Sequence, residues 1–293
     1  MNPNNKEKIA IVVCSNSGID YFDPADDLEI IRMNITFGAT TSYRDYTELK
    51  TEEFYDRIRK NPNETPKTNF GSNGTMLELF DKLYNKGYKK AIVITISSHM
   101  SNLYNNVVLL AKDEEVKLEV LPFDSKTVSY PQTYMTTIAY EMANNGSTSD
   151  DIIEELTRQR DNMALYVTVD TLKYLVANGR LSSVSGMLGS LMKIRPILII
   201  SKEGKVETID KVRTTTKAIE YCINKYFEDT VNEGDDLVTF IVHGDDEEKR
   251  DRAITLINEK YPNRKVYHCC LTPVVGAHAG PGALGIGYIK AKK

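Results

Sequence analysis

Residues Lys89–Asp113 read KKAIVITISSHMSNLYNNVVLLAKD: an apolar run of strand length, a serine-rich turn at Ser97–Ser101, and a helix beginning near Ser101. An apolar β-branched run that breaks into small polar residues and then a helix is how a buried parallel strand ends at its carboxyl edge. The same plan stands on both sides. IAIVVCSNSG, from Ile9 to Gly18, is a strand and a polar turn, and LEIIRMNITFG, from Leu28 to Gly38, reads as one further strand. TELKTEEFYDRIRKN carries Leu49, Phe54 and Ile58 at helical spacing with a capping position at Thr51, and a second helix is expected over Thr75–Lys86. KLEVLPFDSKTVSYPQTYMTTIAYEMANNG, from Lys117 to Gly146, repeats strand, turn at Asp124–Ser125, and helix. Repeated strand–helix units predict a parallel sheet with helices on both faces. Ligands bind such sheets beyond the carboxyl ends of the strands, where the turns at Ser15–Ser17, Ser97–Ser101 and Asp124–Ser125 would meet.

The pattern changes after a capped amphipathic helix, TSDDIIEELTRQRDNM. ALYVTVD and RPILIISKEGKVETIDKV read as strands, the latter a pair joined by the tight KEGK turn and therefore antiparallel. Two further helices and the strands LVTFIVHG, KVYHCCLTPVVG and ALGIGYI complete the chain. The expected architecture is α/β in two domains: an N-terminal parallel-sheet α/β/α domain over residues 1–160, and a C-terminal α+β domain with a mixed or antiparallel sheet over residues 161–293.

With 37 basic and 41 acidic residues among 293, the net charge is −4, so no general attraction to nucleic acid or anionic membrane is expected. The polar start MNPNNKEK runs into an apolar segment of six residues, which resembles neither a signal nor a transit sequence; the expected location is cytoplasmic. The longest apolar runs fall well short of the roughly 18 residues of a membrane helix, so no membrane span is expected. Four cysteines, Cys269 and Cys270 adjacent, make no disulfide framework.

Several motifs fail on context. GPGALG, from Gly280 to Gly285, has the spacing of a dinucleotide fingerprint but is followed by a strand-like IGYI and the end of the sequence, not by a helix and an acidic residue. Ser190–Lys193 matches SxxK without its companion elements. His268, Cys269 and Cys270 are neighbours on a strand and cannot face one metal ion together without a distortion; with His278 they are the candidate ligands, and His243, after another strand, could reach the area. Neither a metal nor a cofactor is expected. What remains is a set of turn hydroxyls and the imidazole of His278, set in the glycine-rich VVGAHAGPGALGIGYI. Hydroxyls at the start of a helix cap it, and the same groups can grip a carboxylate.

Taken in order, these segments resemble the DegV family, fatty-acid-binding proteins that supply acyl chains to a fatty acid kinase. The matching pieces are IAIVVCSNSGID, KTNFGS (Thr68–Ser72), ISSHMSNLY (Ile96–Tyr104), FDSKTVS, LKYLVANGRLS, MKIRPIL with GKVETIDKVRTTTKA, and PVVGAHAGPGALGI. The sequence departs from the family pattern at Cys14, where an aspartate is usual, at Asn69 and Phe70–Gly71 within Thr-Ser-Gln-Pro-Ser, and at Asn102, where glycine is usual. The resemblance implies two packed domains with an acyl tunnel between or within them. It implies a long-chain fatty acid as ligand and no catalytic residue. Thr68 and Ser101 would contact its carboxylate, with His278 beside it and Asn69, Ser98, Asn102 and Gly280 nearby. Arg180 would sit near the head-group opening, serving the partner kinase or bridging the domains. On this reading hydroxyls and a histidine hold the carboxylate without a fixed cation. Two rival classes use the same residues: a small hydrolase pairing a turn serine with His278 as base, and a regulatory module for another small carboxylate.

Overall fold

The computed structural model describes residues 8–181, 194–234 and 237–290, so the SxxK match at Ser190–Lys193 lies outside the described residues. In chain order the first elements are β1 (Ile9–Cys14), β2 (Glu29–Ile31), β3 (Asn34–Phe37), β4 (Thr41–Arg44), α1 (Thr51–Lys60), β5 (Lys67–Asn69), α2 (Asn73–Asn85), β6 (Lys90–Thr95), α3 (Leu103–Leu110), β7 (Glu119–Asp124), α4 (Tyr130–Asn144) and α5 (Ser149–Asp161). Then follow β8 (Met163–Thr168), α6 (Lys173–Ala177), β9 (Arg195–Ile200), β10 (Val206–Val212), α7 (Thr215–Thr230), β11 (Val238–His243), α8 (Glu247–Lys260), β12 (Val266–Cys270), α9 (Pro273–Ala279) and β13 (Leu284–Ile289).

The first sheet is parallel, in the order β2-β1-β6-β7. Alternation along β1 fixes its two faces. Ile9, Ile11 and Val13 pack with Met135 and Ala139 of α4 and with Ile152 and Leu156 of α5. Ala10, Val12 and Cys14 face the opposite core, which includes Phe54 of α1, Phe80 of α2 and Val107 of α3. Helices thus cover both faces, as the apolar strands require.

The second sheet runs β10-β9-β8-β13-β11-β12 and is mixed, with β11–β12 parallel and the other pairs antiparallel. Tyr166, Ile241 and Ile286 on one face pack against Ile219 and Ile223 of α7 and Ala253 and Ile257 of α8. The other face, carrying Leu165, Leu198 and Val242, turns toward the first sheet. The chain crosses from one sheet to the other between α5 and β8.

Three expectations need correction. LEIIRMNITFG is two strands, because the Met33 N–H is taken by Ser15 Oγ (3.1 Å) and its carbonyl by the Asp45 N–H (2.8 Å), which redirects the chain into a small antiparallel sheet, β4-β3-β5. Thr51 is the first residue of α1, with Lys50 at the cap position, and its hydroxyl bonds Tyr21 instead. PVVGAHA is helix, not strand or loop: Pro273 opens α9 where its missing N–H costs nothing, and Gly280 at φ +78 ends it.

Candidate functional site

The carboxyl ends of β1, β6 and β7 point at the inner face of the second sheet, and a cavity of about 240 Å³ lies between them. Its walls are mostly aliphatic: Leu165, Val167, Leu198, Ile200, Val206 and Val242 from the sheet, with Met33, Ile96, Val128, Val274 and Val275 opposite. Polar groups gather where β5, the turn after β6, and α9 approach. There Thr68, Asn69, Ser101, Asn102, Arg180 and His278 all line the cavity.

Thr68 Oγ1 lies 2.8 Å from His278 Nε2. Nδ1 of the same ring is buried and has no hydrogen-bond partner among the described residues. Burial, reinforced by the charges of Arg180 and Lys67, holds the imidazole down to about 4, so at neutral pH it is uncharged. A neutral ring carries one N–H donor and one acceptor. Ser101 Oγ accepts the Leu103 N–H at 3.3 Å, a capping contact at the start of α3 that leaves its O–H to donate elsewhere. Asn69 Oδ1 accepts from Asn34 Nδ2 and the Gly71 N–H, both at 3.0 Å, so the amide has its N–H₂ group for another partner. Asn102 Oδ1 accepts from Asn105 Nδ2 at 3.0 Å on the exposed side of the turn.

Two expected residues lie elsewhere. Ser98 is not among the residues lining the cavity; its N–H donates to Asp124 Oδ1 at 3.2 Å and ties the turn to β7. Gly280 is also outside the lining and is needed for close packing, since a Cβ there would stand 2.5 Å from the Tyr174 ring. Arg180 donates from Nε to the Met100 carbonyl (3.0 Å) and from Nη1 to the Asn178 carbonyl (2.5 Å), so it links the turn after β6 to the end of α6 while lining the cavity. A guanidinium therefore stands at the polar mouth beside the hydroxyls and His278.

Two buried residues that the sequence reading missed hold this mouth together. Asn178 Nδ2 reaches the carbonyls of Ala277 (3.0 Å), Tyr174 (3.1 Å) and Pro66 (3.3 Å), joining α9, α6 and the approach to β5. Asp45, fully buried, accepts from Ser15 Oγ at 2.8 Å and from the Val274 N–H at 3.2 Å, which anchors α9 to the first turn. Burial pushes its carboxyl up to about 6 despite these donors. Asn178 stands in the quoted LKYLVANGRLS and Asp45 in no quoted segment, but an asparagine before glycine and an aspartate in a polar loop look like ordinary turn residues.

Apolar walls ending in a few converging donors describe a binding site for an amphipathic ligand with an anionic end. The family described as "Uncharacterised protein, DegV family" matches residues 8–291. Protein DegV of Bacillus subtilis is 33% identical over 261 residues, 88% of this chain and 90% of that protein. A DegV domain-containing protein of Clostridium acetobutylicum is 31% identical over 286 residues, 97% of this chain and 99% of that one. Among solved structures, DegV from Bacillus subtilis, described as a fatty acid binding protein, superimposes with a TM-score of 0.84 at 30% identity, covering 97% of this chain and 100% of that one. A DegV lipid binding protein from Thermotoga maritima gives a TM-score of 0.81 at 28% identity, covering 98% and 99%. The chain belongs to the DegV family.

Proposed function

We propose that this protein binds a long-chain fatty acid, with the acyl chain in the aliphatic cavity and the carboxylate held by Thr68, Ser101 and His278. The observation that carries the reading is the placement of the Thr68–His278 pair at the mouth of a cavity whose remaining walls are aliphatic. Each buried CH₂ contributes about 0.8 kcal/mol, so a chain of about 16 carbons gains enough to be retained. The head group then needs only enough donors to avoid an unsatisfied buried charge. Neutral His278, the two hydroxyls and the Asn69 amide supply them, and Arg180 adds a nearby positive charge. Residues 1–160 would contribute the hydroxyl turns as one domain and residues 161–293 the sheet wall as another.

A carrier fits the ring chemistry better than a hydrolase. A triad base is oriented by a carboxylate, whereas His278 Nε2 meets a threonine hydroxyl and Nδ1 meets no partner among the described residues. A lining in which aliphatic side chains from both sheets far outnumber the polar groups favours an acyl chain over a small carboxylate. Presentation of the bound acid to a fatty acid kinase, with Arg180 near the opening, is the finer part of the proposal and rests on the family resemblance. Ser101→Ala tests the head-group assignment: equilibrium binding of palmitate should weaken by about tenfold or more, the scale of one hydrogen bond to a charged group, and unchanged binding would remove Ser101 from the site.

A further inference from the structure

The hairpin formed by β9 and β10 and the turn that carries Ser101 are joined at one side chain. Ser97 is fully buried at the carboxyl end of β6. It donates its hydroxyl hydrogen to the Gly204 carbonyl at 2.7 Å, across the gap between the sheets, and its oxygen accepts the His99 N–H at 3.2 Å. The Ser97 carbonyl accepts the N–H groups of Met100 and Ser101, at 2.9 and 3.0 Å. One serine therefore shapes the turn that presents Ser101 and also fastens the hairpin tip.

The fit at the tip is close. Gly204 sits at φ +85, and a Cβ there would lie 2.3 Å from Ser97 Oγ and 3.0 Å from the Lys126 Cα. Ile200 and Val206, which flank the tip and pair across the hairpin, both line the cavity, while Lys202 and Glu203 at the tip face solvent. Among the described residues β10 is an edge strand paired only with β9, and the register of that pairing shifts between Thr208 and Asp210. β9 is held to β8 from Ile197 to Ile199, so the part of this wall that lies beyond the sheet ladder is the hairpin tip, from Ile200 to Val206.

We propose that the β9–β10 hairpin is the gate for the acyl chain, and that Ser97 is a positioning residue tying the closed gate to the head-group turn. The inference rests on the fatty-acid reading above. A carboxylate engaged at Ser101 fixes the turn, and Ser97 then keeps the hairpin shut over the chain. When the head group leaves, the turn relaxes and the tip is released.

Stopped-flow binding of cis-parinaric acid, a fluorescent long-chain fatty acid, tests the gate in Ser97→Ala, Gly204→Ala and Ser101→Ala. The first two should speed both association and release by about fivefold, the scale of one lost hydrogen bond, with Kd held within about twofold. Deuterium exchange at the amides of residues 201–206 should rise in the same variants. Ser101→Ala should raise Kd instead. If Ser97→Ala does not fold, Gly204→Ala carries the test, because its Cβ would press on Ser97 Oγ and the Lys126 backbone and so part the same contact from the hairpin side while leaving the serine in place. Unchanged rates and exchange in a folded gate variant, with Ser101→Ala still weakened, overturn the gate and leave the fatty-acid reading standing. A raised Kd with unchanged association in Ser97→Ala overturns it too and makes Ser97 a support of the head-group turn alone. Wild-type protein that takes up no cis-parinaric acid overturns both.

Discussion

Thr68 and His278, 210 positions apart in sequence, meet at 2.8 Å between Oγ1 and Nε2. The contact joins β5, on the outer edge of the small sheet, to the last turn of α9. It closes the polar end of the cavity and places a hydroxyl and a neutral imidazole side by side.

Removing the hydroxyl while keeping the shape isolates its role. Thr68→Val should raise the Kd for palmitate by about tenfold or more, the effect of a lost donor to a charged group. Urea unfolding of the apo protein should change by less than about 1 kcal/mol, because Thr68 is only half-buried. An unchanged Kd would take Thr68 out of the head-group site.

His278 and Asp45 titrate with opposite sign. His278 is held down to about 4 from its ordinary 6.5, so the unfolded chain protonates first as pH falls. Its contribution to stability is present above pH 6.5 and is lost as pH falls through 4. Asp45 is pushed up to about 6 from 3.8, so its contribution is present below pH 3.8 and is lost as pH rises through 6. Between these limits the two slopes oppose each other. Apo His278→Gln should therefore lose stability from pH 4 to pH 6, and apo Asp45→Asn should gain it over that range, each by up to about 3 kcal/mol. Denaturant curves at stepped pH read this directly, and parallel profiles for the two variants would contradict the assignment.

Asn178 is expected to act on binding through geometry. Asn178→Ala deletes the donor shared by three carbonyls and should destabilise the fold by about 1–3 kcal/mol. It should also weaken palmitate binding without touching the ligand, because Pro66 and Ala277 lie next to the strand and helix that carry Thr68 and His278. A loss of stability with unaltered binding would mean that other contacts set the mouth.

The aliphatic wall should measure the chain. Val167 lines the cavity from β8. Val167→Phe fills part of that volume and should shift the bound acids toward shorter chains, as seen by mass spectrometry of extracted lipid. An unaltered chain profile would place the acyl group elsewhere.

β1, β6 and β7 of the first sheet were legible because they are short apolar runs that break into polar turns, the last two followed by a helical pattern, whereas β2 was merged with β3 because LEIIRMNITFG has no break between them. The KEGK turn likewise announced the β9–β10 hairpin. α9 was not legible: PVVGAHA continues an apolar run from β12, and only the position of Pro273 marks a new helix. Thr68, Ser101 and His278 could be singled out from a family resemblance, yet their meeting depends on Asn178 and Asp45, whose bonds span 112 and 229 positions of sequence. Nor does residue spacing tell which face of the second sheet is left uncovered by helices. That fact alone decides whether Val167 and Leu198 line a cavity or pack in a core.

The most direct test is mass spectrometry of an organic extract from protein purified without added lipid. The expected result is a near-stoichiometric saturated or unsaturated fatty acid of about 14 to 18 carbons, the range that about 0.8 kcal/mol per buried CH₂ makes retainable. An empty extract from protein that also fails to take up added palmitate would contradict fatty-acid binding at the Thr68–His278 site.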